Sequence, residues 1–460
     1  MPSTPGYSKK RKPYVPWDVG NQELIMGFSS NFLWGAAASS GQIEGGFADG
    51  GRTPSIWDFS PEGKIANNEN CRIACDHYHR MREDVALMKE IGLKSYRFSV
   101  SWSRIFPEKG VVNPEGIKFY SDLIDELIKA GIEPMITIYH WDLPLWVENE
   151  GGWLSGKIVS LFTEYTRVLV DEFSDRVKWW MTINEPVCFI KCGYVLGTFA
   201  PYKKKPYMLS RLTRNCMLAH GMAIKTIRER ARQRVMVGAA FSTGAYIPLD
   251  DSPETVEKAR DLTFNKGEGL AVNRWWMDPI LLGRPVRMGI HSSKKKDMKI
   301  IHQPLDFLGL NIYQPFEYVN PDGSINKDTK HLKRNTMNWI CDGRCLYWNV
   351  KFLYERYSIP IMITENGYSG NDTVGADGRV LDPEREAFMT DFISALKRVN
   401  DEGVPILGYQ HWSVMDNFEW TAGYAPRFGL IHVDYETQKR TIKESARFYS
   451  EIIRTNGENL

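Results

Sequence analysis

The sequence is short of several things, and each shortage removes a class of protein. No run reaches the roughly 18 apolar residues of a membrane helix, so a membrane-spanning chain is not expected. Net charge is nearly absent: 58 Lys and Arg stand against 56 Asp and Glu, a formal +2, which offers no broad field to nucleic acid or to a lipid surface. The opening stretch MPSTPGYSKKRKPYVPWDVG is basic over Lys9–Lys12 but lacks the apolar segment of a secretory signal, so the expected location is cytoplasmic. Cysteine is sparse and odd in number. Seven thiols cannot all pair, which fits a reduced compartment. No internal repeat or linker-like tract divides the 460 residues.

Tryptophan, by contrast, is plentiful, with 15 copies. Its flat amphipathic face serves cores and sugar rings equally well. Eight short β-branched or aromatic runs follow one another along the chain: FLWGAAAS (32–39), SYRFSVSW (95–102), EPMITIYH (133–140), WWMTINEP (179–186), VMVGAAFS (235–242), DFLGLNIY (306–313), PIMITEN (360–366) and ILGYQHW (406–412). Between them lie amphipathic stretches. In GIKFYSDLIDELIKAGI (116–132), Phe119, Leu123, Ile124, Leu127 and Ile128 form an apolar stripe, and Gly131 stands where a C-terminal cap is expected. Residues 155–173 and 382–403 have the same character.

Eight apolar strands, most followed by a helix, predict an α/β fold: a single (β/α)8 TIM barrel with extended βα loops. A doubly wound sheet is the alternative, but GAAASSGQIEGG after the first strand does not match a GxGxxG phosphate loop. The barrel is expected over 26–460, behind a basic, Pro-containing extension at 1–25.

In such a barrel, chemistry gathers at the C-terminal strand ends. Here those ends carry Gln42, Trp102, His140, Asn184–Glu185, Asn311–Tyr313, Glu365 and Trp412. Glu185 and Glu365 each lie beside an Asn, on strands four and seven, which face each other across an eight-stranded barrel. Two carboxylates facing one bound sugar suit glycoside hydrolysis, one ionised as nucleophile and one holding a proton for the leaving oxygen. A lone Glu at a strand end is as well explained by a structural ion pair; two of them above a ring of Trp, His and Gln are not. By residue type alone, His140 reads as a core histidine and Trp412 as barrel-top packing. The pairs Cys71/Cys75, Cys188/Cys192 and Cys341/Cys345 read as scattered semi-buried thiols rather than zinc knuckles. Neither metal nor cofactor is expected.

At the two glutamates the sequence becomes recognisable. TINEP (182–186) and ITENG (363–367) resemble the active-site signatures of family 1 glycoside hydrolases, the β-glucosidase and β-galactosidase group. The resemblance continues through FLWGAAASSGQIEG (32–45), ACDHYHR (74–80), YRFSVSWSRIFP (96–107), YHWDLP (139–144), PLDFLGLNIY (304–313) and HWSVMDNFEW (411–420). It implies retaining hydrolysis of terminal non-reducing β-D-glucosyl residues of O-glycosides, with β-D-fucosyl and galactosyl residues as further substrates, in carbohydrate catabolism. The partners it implies are small β-glycosides or short oligosaccharides.

Carried over by position, Glu365 resembles the nucleophile and Glu185 the acid/base, with Arg97, Tyr313 and Asn311 in support. Gln42, His140, Asn184, Glu419 and Trp420 resemble the residues that bond the non-reducing sugar, and Trp412 the platform beneath it. Trp141 and Phe428 join that set, and Trp339 is a candidate contact to the aglycone, the group released. Arg97 is expected to depress the pKa of Glu365. ACDHYHR, with Asp76, His77 and His79, is implied to be structural. Glu419 disfavours a 6-phosphorylated sugar, and the presence of Glu185 favours O- over thioglycosides.

Four places depart from the family pattern. WICDGRCLYW (339–348) lacks a common Pro and Gly, and YVLGTFAPY (194–202) has Phe199 and Tyr202 where His and Gly are frequent. GRPVRMGIHSSKKKDMKII (283–301) is short for its region and is expected to reshape one side of the pocket, with the lysines at 294–296 in a solvated loop. The extension at 1–25 is the fourth. Three rivals follow: a transglycosidase on the same site, a catalytically silent sugar-binding barrel, and a metal-dependent hydrolase.

Overall fold

Eight strands stand where the apolar runs predict them in the computed structural model, which describes residues 27–265, 273–285 and 295–460. The extension at 1–25 lies outside the described residues. The strands are β1 (Leu33–Ala37), β2 (Ser95–Ser99), β3 (Glu133–Tyr139), β4 (Trp179–Asn184), β5 (Met236–Ser242), β6 (Leu308–Asn311), β7 (Ile361–Asn366) and β8 (Ile406–Trp412). Each pairs in parallel with the next, and β8 pairs with β1 to close the barrel.

Burial on both faces explains why the strands read as unbroken apolar runs. Alternate side chains go to alternate faces. On β3, Met135 joins Trp179, Met181, Met236, Phe307 and Met362 in one cluster, while Ile136 and Ile138 belong to the large core shared with the outer helices. Unbranched methionine fills irregular space well. The lower barrel is therefore plugged, and a ligand must sit above it.

The helices close locally. For Pro114–Ala130, the Asn113 side chain accepts from the Glu115 amide at 3.2 Å, Pro114 opens the first turn, and Gly131 at φ 78 ends the last. Phe119, Leu123, Ile124 and Leu127 are buried as the stripe predicts, but Ile128 lies at its edge and is 45% exposed.

Two register shifts matter for the site. β4 slips against β5 between Met181 and Asn184, and β7 slips against β6 between Ile363 and Glu365. A bulge bends its strand and re-aims the side chains that follow. Both shifts fall at the approach to a strand-end glutamate.

Some expectations change. Lys295 and Lys296 open a helix, Lys295–Ile301, rather than lying in a loop; Asp297 in its first turn pairs with Arg214 at 2.8 Å. Residues 286–294 lie outside the described set. Trp102 stacks on Tyr165 at 4.7 Å in the core and takes no part in the strand-end ring. ACDHYHR is tied inward, with His77 Nδ1 2.7 Å from Asp84 and Arg440 2.9 Å from the same carboxylate. All seven cysteines are free thiols. Among the described residues no three His, Cys, Asp or Glu side chains form a metal-binding group, and no helix is long and apolar enough to cross a membrane.

Candidate active site

At the C-terminal mouth of the barrel a cavity of about 690 Å³ opens between the βα loops. A larger hollow of about 1030 Å³ lies at the other end, lined by strand-start residues such as Lys94, Glu133 and Lys178, without paired strand-end glutamates. Glu185 and Glu365 both line the upper cavity. Glu185 follows β4 in left-handed backbone, φ 46 and ψ 65, with its amide donating to the Ala240 carbonyl at 2.8 Å. Such a conformation costs about 1–3 kcal/mol in a residue with a side chain and persists only when its surroundings hold it.

Glu365 remains in β7, where its carbonyl accepts from the Ile312 amide at 3.0 Å. The two residues after it have their own reasons. Asn366 donates to the Ile312 carbonyl at 2.6 Å and accepts from Tyr409 Oη at 2.8 Å. A Cβ on Gly367 would meet the Trp412 carbonyl oxygen at 1.8 Å. The Glu-Asn-Gly run is thus a carboxylate, a strand-end tie and a close backbone crossing.

Beneath the glutamates lies a buried polar layer centred on Arg97. Its guanidinium donates to Glu365 Oε1 at 2.6 Å, the Thr364 carbonyl at 2.9 Å, Asn184 Oδ1 at 2.7 Å and Thr137 Oγ1 at 3.0 Å. Tyr313 Oη donates to Glu365 Oε2 at 2.9 Å, so each oxygen of the Glu365 carboxyl has its own donor. Asn311 takes a hydrogen bond from Thr364 Oγ1 at 2.6 Å and gives two, to Asn184 Oδ1 at 3.0 Å and Glu185 Oε1 at 2.9 Å.

This layer also fixes the His140 tautomer. Asn184 Oδ1 accepts from both Arg97 and Asn311, so Asn184 Nδ2 must be the atom 3.0 Å from His140 Nε2. Nε2 therefore accepts, and the ring proton sits on Nδ1, which has no partner. Burial, then the nearby Arg97 charge, hold His140 well below its ordinary pKa, so the ring is neutral.

The carboxyl groups are poised unequally. Burial, then the charge of Glu365, push Glu185 up to about 7. Burial raises Glu365 too, against the pull of Arg97, Tyr313 and Asn311. Arg97 does pull the pKa down, as expected, but desolvation outweighs the ion pair and the net shift is upward. Of the two, Glu365 alone contacts a guanidinium and so carries the charge more readily. Glu419 is pushed up to about 8 by burial and by the charges of Glu365 and Glu185. That shift favours the protonated form at neutral pH, where the sequence reading treats Glu419 as an ion.

The aromatic residues assemble around this centre. Trp412 stacks near His140 at 5.7 Å and packs with Ala37 and Phe428. Trp420 lies 4.9 Å from Trp141, whose indole donates to the Asn184 carbonyl at 3.0 Å. Trp339 packs on Tyr313 at 5.2 Å and Phe428 at 5.9 Å. Its turn is held by Asn335 Oδ1, which accepts from the Met337 and Trp339 amides at 3.0 and 3.1 Å.

Glycosyl hydrolase family 1 matches residues 25–458. The chain belongs to that family. A Beta-glucosidase A of Thermotoga maritima is 38% identical over 439 residues, spanning 94% of this chain and 98% of its own. An aryl-phospho-beta-D-glucosidase of Bacillus subtilis is 35% identical, again over 94% and 98%. The solved structure of a beta-glucosidase from Thermotoga maritima in complex with glucoimidazole superposes with a TM-score of 0.86 at 37% identity, covering 94% of this chain and 100% of that one.

Within this family 1 barrel the structure brings nearly all the predicted site residues to one cavity. His140, Trp141, Asn184, Trp339 and Trp412 line it, as do Glu419, Trp420, Phe428, Asn311 and Tyr313. Gln42 and Arg97 stand one layer behind. Gln42 is fully buried, accepting from Ser39 Oγ at 2.7 Å and donating to Asn417 Oδ1 and the Phe418 carbonyl at 3.0 Å and to Glu419 Oε2 at 3.3 Å. Of the four departures, the 194–202 segment reaches the cavity through Leu196 and Phe199, the latter packing on Trp141 at 5.7 Å, whereas Tyr202 bonds Ser60 at 2.6 Å. No described residue of 283–301 lines the cavity.

The sequence reading misses one wall. Val187, Cys188, Lys191, Cys192 and Leu196 line the cavity from the segment after β4. Their spacing of three and four was the available signal, visible in the sequence as the Cys188/Cys192 pair but read as scattered thiols.

Proposed function

We propose that the chain is a retaining β-glycosidase that releases terminal, non-reducing β-D-glucosyl residues from O-glycosides. The observation that carries this reading is the pair Glu185 and Glu365 in one cavity, the first lifted to about 7 and the second in contact with Arg97. Glu365 attacks the anomeric carbon as the bond to the leaving oxygen breaks, and Glu185 gives that oxygen its proton. The product is a glycosyl ester on Glu365. With the Glu365 charge gone, one cause of the raised Glu185 pKa disappears, so Glu185 becomes the base. It takes a proton from water, the water oxygen bonds the anomeric carbon, and the ester bond returns its electron pair to Glu365.

The sugar is held by groups whose capacity is unspent. His140 Nδ1–H has no protein partner, and Asn184 Nδ2 has a second hydrogen beyond the one given to His140. Glu419, braced by Gln42, offers two oxygens to adjacent hydroxyls, a contact that rewards one stereochemistry. Trp412 supplies the ring platform. The seven free thiols support a cytoplasmic location, and the net charge of +2 supports small glycosides rather than polyanions as partners.

The test is a panel of 4-nitrophenyl glycosides with wild type, Glu365→Ala and Glu185→Ala. Turnover of the β-glucoside, its loss in Glu365→Ala, and azide rescue of Glu185→Ala with a β-glycosyl azide product are expected. Failure of the folded wild type on every β-glycoside would overturn the reading.

A further inference from the structure

The described lining of the cavity carries three carboxyl groups and a single lysine. Glu185, Glu365 and Glu419 line the cavity together, and the charge of Glu365 helps to raise the pKa of the other two. His140 is neutral. Among the described residues, the remaining charged side chain on the lining is Lys191. It is half-buried on the helical segment Phe189–Leu196, with Cys188 three residues before it and Cys192 one after, both also on the cavity wall.

Among the described residues Lys191 makes no ion pair. Its neighbours do not supply a counter-charge either. The lysine run 203–205 is laced to the same segment, with the Lys203 amide on the Gly193 carbonyl at 2.9 Å and the Lys205 amide on the Tyr194 carbonyl at 2.8 Å. Lys203 is matched by Glu148 at 2.6 Å; Lys204 is exposed. The same lining includes the apolar Phe199, Phe316, Met337 and Trp339 beside the uncharged polar Ser242, Thr243, Gln314 and Thr421. An aromatic ring fits such surfaces, and a half-buried lysine on the same lining, whose ammonium makes no ion pair, favours an anion on that ring.

We propose that Lys191 selects an aglycone that is an aryl carboxylate, the ring against Trp339 and Phe199 and the carboxylate on the ammonium. This deepens the β-glycosidase reading and rests on it. A positive wall beside an apolar slot favours the charged aryl group over its neutral isostere and disfavours a cationic one.

The experiment compares kcat/KM for 4-carboxyphenyl and 4-carbamoylphenyl β-D-glucosides, which match in size and differ in charge, on wild type, Lys191→Gln and Lys191→Arg. Because each substrate serves as the other's control across variants, leaving-group reactivity cancels. The carboxylate-to-amide ratio is expected to fall about tenfold in Lys191→Gln, the worth of one charge-assisted hydrogen bond, and to be kept in Lys191→Arg. In wild type the ratio should also fall as salt is raised, since a half-buried pair is partly screened. An equal ratio in wild type and Lys191→Gln, or a salt-independent wild-type ratio should Lys191→Gln not fold, overturns the proposal while leaving the glycosidase reading intact. If wild type hydrolyses neither glucoside but turns over 4-nitrophenyl β-D-glucoside, the aglycone proposal alone falls; failure on all three overturns it together with the β-D-glucosidase reading it rests on.

Discussion

Replacing Tyr313 by Phe isolates one hydrogen bond of the proposed nucleophile. Tyr313 Oη donates to Glu365 Oε2 at 2.9 Å, while its ring packs on Trp339 at 5.2 Å and Phe428 at 6.3 Å. Phenylalanine keeps the ring and its packing and removes only the donor. Arg97 is a poorer probe, because its loss strips partners from Glu365, Asn184 and Thr137 together.

A hydrogen bond to a charged group contributes about 1.5–3 kcal/mol, and one pKa unit corresponds to about 1.4 kcal/mol. The lost bond favoured the ionised form, so the Glu365 pKa must rise, by about one to two units. The proposed mechanism needs Glu365 ionised and Glu185 protonated. The acid limb of kcat/KM against pH should therefore move to higher pH by that amount. Glu185 lies at about 7, so Glu365 moves toward its partner, and the bell becomes narrower and lower. The assay is the pH profile of 4-nitrophenyl β-D-glucoside hydrolysis by wild type and Tyr313→Phe, with melting curves to confirm folding at each pH. An acid limb that stays put or moves down in the folded variant would refute the reasoning.

Two further perturbations test the energetics. Glu185 has its folded pKa raised from 4.5 to about 7, so the native state keeps its proton longer than the unfolded chain. Its burial therefore costs stability increasingly as pH climbs through that window. Glu185→Gln should gain melting temperature relative to wild type at about pH 8 but not at about pH 4; an equal gap at both pH values would contradict this. Lys443, fully buried, joins Asp372 at 2.5 Å and Asp416 at 2.7 Å. Lys443→Met leaves those carboxylates short of a cation and should cost about 3–5 kcal/mol in urea unfolding, against less than about 1 kcal/mol for the exposed Lys118–Asp122 pair.

The barrel was legible because both faces of each strand are buried, so the chain writes each strand as an apolar run and each helix as a 3.6-residue stripe. Glu185 and Glu365 were legible for the same reason, as charges ending runs that otherwise exclude charge. Local pattern thus determined the elements, their order, the family and the two carboxyls proposed to react.

Closure of the barrel decided the rest. It turned the Met135 layer into a plug, placed register shifts before both glutamates, and set Gln42 behind Glu419 rather than on the cavity lining. It made desolvation outweigh Arg97 at Glu365, a balance that depends on depth and cannot be read from spacing. It also brought Lys191 to the lining of the cavity that holds Glu185 and Glu365. A side chain's electrostatic worth depends on which distant segments exclude its water, and those segments meet only when the strands close.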